Sequence, residues 1–318
     1  MRPEPSLPGV NPRSAGSNRG GFDRSALGAS IPMTTSTKSS TSARDAGAAP
    51  VAAYVREQVS AIREGDAALR RGEDPIHATR VAIRRLRSTL RVFADAFDPG
   101  VATSLDEELS WYAGILGHVR DHEVQRARFA QAVADLPDEW VLGPVAADIE
   151  TTLAAEQRTY RADVDTVLAG DRYAALISAL GTLDTAVLSL SRRDVTSLSN
   201  KAGKKAHTRL RSAIAGDAGD DAALHRARKA FKRARYATEL ATPVLGKKHA
   251  KKTVRRFKNV QEVLGEHQDS LVAAGFLRRL GAAAGTRPAE NGFTYGLLFA
   301  HEQHAAAAAR RRARTLKL

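Results

Sequence analysis

Cysteine is absent from the 318 residues. That excludes disulfides and thiolate metal sites and is compatible with a reducing compartment. Aromatic residues make up only 5% of the chain, whereas alanine is abundant, a balance that favours closely packed helices over a sheet. No apolar run approaches the roughly 18 residues that a membrane-spanning helix needs, so no membrane partner is expected. The N-terminal stretch also lacks the apolar core of a secretory signal, and a cytoplasmic location is expected. A Gly-x-x-x-x-Gly-Lys-Ser/Thr loop is missing, which removes a P-loop nucleotide site. No His-Glu-x-x-His spacing occurs, and no nucleophile–base pair stands out. No catalytic residue, cofactor or metal ligand is therefore assigned. Glu302, between His301 and His304, reads as part of an exposed helical face.

What the chain has in excess is positive charge: 49 Lys and Arg against 35 Asp and Glu, a formal net of +14 with a pI near 10.3. Such a balance points to an anionic partner. The hydrophobic content of 43% still allows a real core. The excess is concentrated. From His225 to Lys258 there are thirteen cations and one acid, Glu239, a net of +12. From His77 to Asp98 five arginines face Asp95 and Asp98, a net of +3.

The arrangement of these cations is periodic. On a helix, His77, Arg80, Arg84, Arg87 and Arg91 fall on one face, at alternating steps of three and four residues. At ~1.5 Å per residue this stripe is about 21 Å long. Ile83, Leu86, Leu90, Phe93 and Phe97 repeat the spacing about 120° around the same helix. The pattern then returns at a constant offset of 148 positions. His225, Arg228, Lys232, Arg233 and Arg235 correspond to His77, Arg80, Arg84, Arg85 and Arg87. Likewise Leu116-Gly117 and Asp121 reappear as Leu264-Gly265 and Asp269. A gap-free offset over more than forty positions marks an internal duplication.

These residues resemble the conserved-histidine α-helical domain (CHAD) family, over roughly residues 50 to 315. Its hallmarks are a helix beginning His-x-x-Arg with clustered basic residues, then a Leu-Gly-x-x-Arg-Asp segment, both occurring twice. The first copy reads His77, Arg80, Arg84, Arg85, Arg87, then Leu116-Gly117-His118-Val119-Arg120-Asp121. The second copy carries Gln268 in place of the arginine. The resemblance implies an all-α fold of two pseudo-symmetric helical bundles, a duplicated four-helix-type repeat, enclosing a basic cavity. It also implies non-catalytic binding of inorganic polyphosphate, and association with polyphosphate granules. In that family Asp121 and Asp269 look structural. The Glu-x-Glu-x-Lys signature of the triphosphate tunnel enzymes that often accompany such domains is absent.

Residues 1–47, rich in Ser, Thr, Gly and Pro, bury too little to offset their ordering entropy and are expected to be disordered. Met1 and Met33 are the only methionines, so both are candidate starts of translation. The domain is expected to span 48–318, with repeat one at about 49–170, a connector helix at about 171–196 and repeat two at about 197–318. Helices are expected from Pro50 to Arg71 and from an Asp74-Pro75 cap through the first basic stretch. Further helices are expected at 101–116, broken at Gly117, then 120–136, 144–169 and 172–191. The second basic helix ends at Pro243, and helices at 248–264, 267–283 and 292–315 follow.

Candidate ligands of polyphosphate are His77, Arg80, Arg84, Arg85, Arg87 and Arg91 from the first copy. The second copy supplies His225, Arg228, Lys229, Lys232, Arg233 and Arg235, and the next helix adds Lys248, Lys252 and Arg255. Arg matches phosphate through paired parallel hydrogen bonds, and Lys adds compact charge. His77 and His225, expected in first helical turns, would gain charge near their reference pKa of ~6.5. A solvated helix face is the competing reading of each stripe, and a hydrogen bond to Asp121 or Asp269 that of each histidine. Asp121-His122 beside His118 resembles a metal centre only superficially, since His118 and His122 map to Glu266 and Ser270. The alternative partner is nucleic acid, bound without sequence preference through its phosphates and with strong salt dependence. Neither base-reading Asn/Gln side chains nor a series of aromatic platforms accompanies the cations.

Overall fold

The computed structural model describes residues 46–183, 187–216, 220–287 and 290–316. Most of the expected N-terminal tail lies outside them. Ten α-helices account for nearly all of these residues, and no strand occurs among them. They are α1 (Ala48–Arg70), α2 (Ile76–Val92), α3 (Pro99–Ala134), α4 (Val145–Leu168) and α5 (Asp171–Leu180). Then come α6 (Arg192–Ala215), α7 (Asp221–Leu240), the single turn α8 (Thr242–Leu245), α9 (Lys247–Ala284) and α10 (Phe293–Thr315). The helices belong to one compact unit, Lys38–Leu318. Two pairs of starts, α3 with α9 and α4 with α10, are separated by 148 residues, the offset of the duplication.

Local chemistry sets the ends. Asp98 caps α3, its carboxylate accepting from the backbone N–H of Gly100 and Val101 at 2.9 and 3.0 Å, with Pro99 as the first helical residue. A capping box of Ser191 and Asp194 opens α6, and Asp220 caps α7. Gly246, at φ 85°, makes the left-handed turn between α8 and α9. Gly65 lets α1 and α2 touch, since a Cβ there would lie 2.0 Å from Thr79 Oγ1.

Several expected boundaries are corrected. Neither Gly117 nor Gly265 interrupts its helix: α3 and α9 run continuously through them. The cost of a mid-helix glycine, roughly 1 kcal/mol, is offset by tertiary contacts described below. The connector helix stops at Leu180, and the next begins at Arg192, where the capping box supplies a start that the expected boundary overlooked. Asp74 does not cap α2; it pairs with Arg161 at 2.6 Å instead.

The predicted apolar ladder is the heart of the first core. Ile83, Leu86, Leu90, Phe93 and Phe97 are all no more than 2% exposed. Burying five such side chains contributes on the order of 10 kcal/mol. The like-charged neighbours on the other face of α2 cost about 1–2 kcal/mol in total, so burial wins and the stripe is tolerated. The C-terminal end of α7, through Ala237, Leu240 and Ala241, enters this same core, which sets α2 and α7 side by side. A second cluster joins α6, α7 and α9 around Phe231, Phe257 and Leu264. A third joins α3 and α4 to α9 and α10, with Phe129 stacked on Phe276 at 5.2 Å.

Candidate functional site: converging basic helices

Because α2 packs against α7, the cations of one copy act on those of the other. The centre of this meeting is Lys232. Its amine is half-buried and pushed down to about 7, first by loss of solvent, then by Arg228 on its own helix and by Arg84 and Arg80 of α2. Asp269 opposes that shift. Arg84 adds to the excess: its Nε is buried and has no hydrogen-bond partner among the described residues.

The Leu-Gly…Asp segments seat the first arginine of each basic helix. Arg80 Nη1 donates to the carbonyls of Leu116 and Gly117 at 3.2 and 2.6 Å and to Asp121 Oδ1 at 3.1 Å. The bare Cα of Gly117 lets the guanidinium lie against the helix, with a hypothetical Cβ 3.5 Å from Arg80 Nη2. In the second copy Arg228 lies even closer to Gly265, at 3.1 Å from the same hypothetical atom, and faces Asp269 at 3.6 Å. Burial pushes the Asp269 carboxyl up, against the pull of Arg228 and Lys232. Asp121 and Asp269 therefore hold arginines.

That geometry reassigns the competing reading of the histidines. His77 is exposed in the first turn of α2, with Arg120, Arg84 and Arg80 as its cationic neighbours. His225 sits in the second turn of α7, because that helix starts at Asp221, so it lacks the free terminal N–H groups expected for it. Gln268, the residue that replaces the motif arginine, lies beside it and opposes the lowering of its pKa. Both imidazoles are pushed below the usual range, by partial burial first and nearby cations second. Lys229 is exposed beside His225.

The remaining candidates fall elsewhere. Arg87 and Arg91 share one carboxylate, Asp106, at 3.0 and 2.5 Å, and Arg233 lies near both. Arg85 and Arg235 share Glu239, each at 3.3 Å, and flank the Tyr236 ring. Lys248, Lys252 and Arg255 are exposed on the first half of α9. At ~1.5 Å per residue they stand about 20–30 Å along the helix from Asp269, beyond side-chain reach of the Lys232 cluster.

Sequence reasoning missed Arg120, which faces His77 and Arg80. It also missed Lys201, Lys205 and Arg209, which repeat at four-residue steps along α6; that spacing was a readable signal. His118 and His122 are engaged by Tyr160 and Glu156: His118 stacks on Tyr160 at 4.7 Å, and His122 Nε2 lies 2.7 Å from Glu156. Glu302 is not on an exposed face. It is 2% exposed and takes two hydrogen bonds from Arg128, at 2.7 and 2.6 Å, while Arg128 also reaches Glu266 and Ser270.

An all-helical chain with paired basic helices, each anchored by a Leu-Gly…Asp segment, has the hallmarks of a CHAD protein. The model of the CHAD domain family matches residues 53–278, and the chain belongs to that family. Among curated relatives, Uncharacterized protein Rv2226 of Mycobacterium tuberculosis (strain ATCC 25618 / H37Rv) is 34% identical over 269 residues. The alignment covers 80% of this chain and 49% of the relative, so the chain spans about half the length of the curated relatives it matches. Two solved structures share the fold. PptA from Streptomyces chartreusis matches with a TM-score of 0.71 and 20% identity, over 85% of this chain and 98% of that one. The CHAD domain from the plant Ricinus communis matches with a TM-score of 0.64 and 23% identity, over 85% and 93%. No described helix is long and apolar enough to cross a membrane.

Proposed function

We propose that this protein binds inorganic polyphosphate without catalysis, in a basic cavity between two pseudo-symmetric helical bundles. The observation that carries this reading is the mutual proximity of Arg80, Arg84, Arg228 and Lys232, drawn from both copies of the duplication. Among the described residues Asp121 and Asp269 are the carboxylates that pair with this group of four cations, which leaves it with an excess of positive charge. A repeating polyanion neutralises several such groups at once, and its phosphates match guanidinium geometry. Membership of the CHAD family implies the same ligand. Attachment to polyphosphate granules in the cytoplasm follows if long chains are the natural form of that ligand.

The competing reading is nucleic-acid binding through the phosphate backbone. The exposed cations of α6 and α9 would serve it equally well, but the half-buried position of Lys232 suits a slender chain better than a duplex. The experiment is competition at fixed salt. Labelled long-chain polyphosphate is challenged with duplex DNA, RNA and short phosphates at matched charge. Polyphosphate is expected to be displaced only by polyphosphate at comparable concentration; equal displacement by DNA per phosphate would reverse the choice.

A further inference from the structure

A hollow of about 460 Å³ opens between α2, α6 and α7, and none of its lining residues belongs to the Lys232 cluster. Four of the residues lining it are cations: Arg91, Lys201, Lys205 and Arg233. Leu198, Ala202 and Ala230 give it an apolar wall, and Asp95 is its one acid.

The internal duplication shows what occupies the corresponding positions in the other half. At an offset of 148, Ala202 corresponds to Tyr54, Lys205 to Glu57, Arg233 to Arg85 and Arg91 to Glu239. Those counterparts form a filled and balanced group. Arg85 meets Glu239 at 3.3 Å. The half-buried Tyr54 packs on the core, with Glu239, Arg85 and Glu57 as its charged neighbours.

Around the hollow most charge changes run in the direction that admits an anion, Asp95 in place of Pro243 being the exception. Alanine in place of tyrosine leaves a ring-sized space, and both acids have become cations. Arg233 forms no ion pair among the described residues. Its charged neighbours are Arg209, Arg91 and Arg87, opposed by Asp106, and Asp106 already accepts from Arg87 and Arg91.

We propose that this hollow is a second, separate site that takes a small phosphate ester of nucleotide type, with its phosphates on Arg91, Lys201, Lys205 and Arg233 and its ring in the space vacated by tyrosine. A bare phosphate chain satisfies the cations but leaves the apolar wall in water; a ring covers it. The volume lies within the range of small-ligand pockets, roughly 300–1,000 Å³, and exceeds what one phosphate fills. The hollow shares no lining residue with the Lys232 cluster, and Arg91 stands seven residues, about 10 Å, along α2 from Arg84, the nearest cluster residue on that helix.

The test is calorimetric titration of the full chain with ATP and, separately, with inorganic tripolyphosphate. Both ligands are applied to the wild type, Ala202→Tyr and Lys205→Glu. ATP is expected to bind the wild type more tightly than tripolyphosphate does. Ala202→Tyr, which restores the side chain of the other half, is expected to weaken ATP at least about tenfold while leaving tripolyphosphate and long-chain polyphosphate within about twofold. Lys205→Glu lies on an exposed position that does not burden the fold, and is expected to weaken ATP by about tenfold as well. Equal affinity for ATP and tripolyphosphate, no ATP binding, or ATP binding unmoved by both variants would overturn the proposal.

Discussion

Arg80 and Gly117 are joined by a 2.6 Å hydrogen bond from the guanidinium to the glycine carbonyl in the middle of an unbroken helix. The glycine of the Leu-Gly…Asp segment is thus a seat for an arginine on another helix, and Asp121 one turn later completes it at 3.1 Å. Replacing Arg80 by Lys keeps the charge but not the fork of donors. Thermal or denaturant unfolding of Arg80→Lys is expected to show a loss of about 1–2 kcal/mol. The two glycines should respond differently to alanine. Gly117→Ala meets ordinary contact at 3.5 Å and is expected to be neutral or mildly stabilising, whereas Gly265→Ala crowds Arg228 at 3.1 Å and is expected to destabilise. Equal responses would undercut this role.

Lys232 is predicted to be a stability liability kept for binding. Its amine is held near 7 in the folded chain and returns to the usual 10.5 on unfolding. The unfolded state therefore carries more protons between those values, and stability rises with pH across that window. Lys232→Met removes the liability. It is expected to stabilise the unliganded protein at pH 7 by on the order of 1–2 kcal/mol and to weaken polyphosphate binding. A destabilised Lys232→Met protein would contradict the assignment.

Binding should itself depend on pH, in a stated direction. A bound polyanion raises the Lys232 pKa above its free value of about 7. The complex then holds more protons than the free protein, so affinity increases as pH falls from the raised value towards about 7, and there this limb flattens. His77 and His225, held low in the free protein, add a further increase at more acidic pH. Affinity measured from pH 9 to pH 5 tests this, and Lys232→Met should lose only the upper limb.

Glu302 and Arg128 form a clasp between α10 and α3. Glu302→Ala leaves a half-buried guanidinium with Glu266 as its remaining carboxylate. A loss of about 3 kcal/mol is expected, at the lower end for a broken buried pair, with no effect on polyphosphate affinity under native conditions. A melting temperature unchanged by the substitution would show that Glu266 alone suffices.

Some of this architecture was legible in residue order and some was not. The faces of α2 were readable because a 3.6-residue period leaves a direct trace: Ile83, Leu86 and Leu90 are buried as their spacing requires. The duplication was readable because its offset has no gap. Gly117 misled, since a glycine that receives a side chain from elsewhere looks like one that ends a helix. Glu302 misled for the same reason: its partner Arg128 is 174 positions away, and flanking histidines suggested solvent. The sharing of Glu239 by Arg85 and Arg235 depends on how α2 crosses α7, which no local pattern encodes. Lys248, Lys252 and Arg255 were grouped with the ladders by charge density, but helix rise carries them far along α9.

The claim that one polyanion engages both basic helices is tested most directly by the salt dependence of long-chain polyphosphate affinity. The series compares the wild type with Arg84→Gln, Lys232→Gln and the double variant, at a pH below 7 where Lys232 is charged. Each single variant is expected to weaken binding and to flatten the log–log salt slope by about 0.7, taking the increment for one phosphate contact on single-stranded nucleic acid as the scale; the double variant should flatten it by about twice that. Slopes and affinities indistinguishable from wild type in all three variants would mean that the ligand does not lie between α2 and α7.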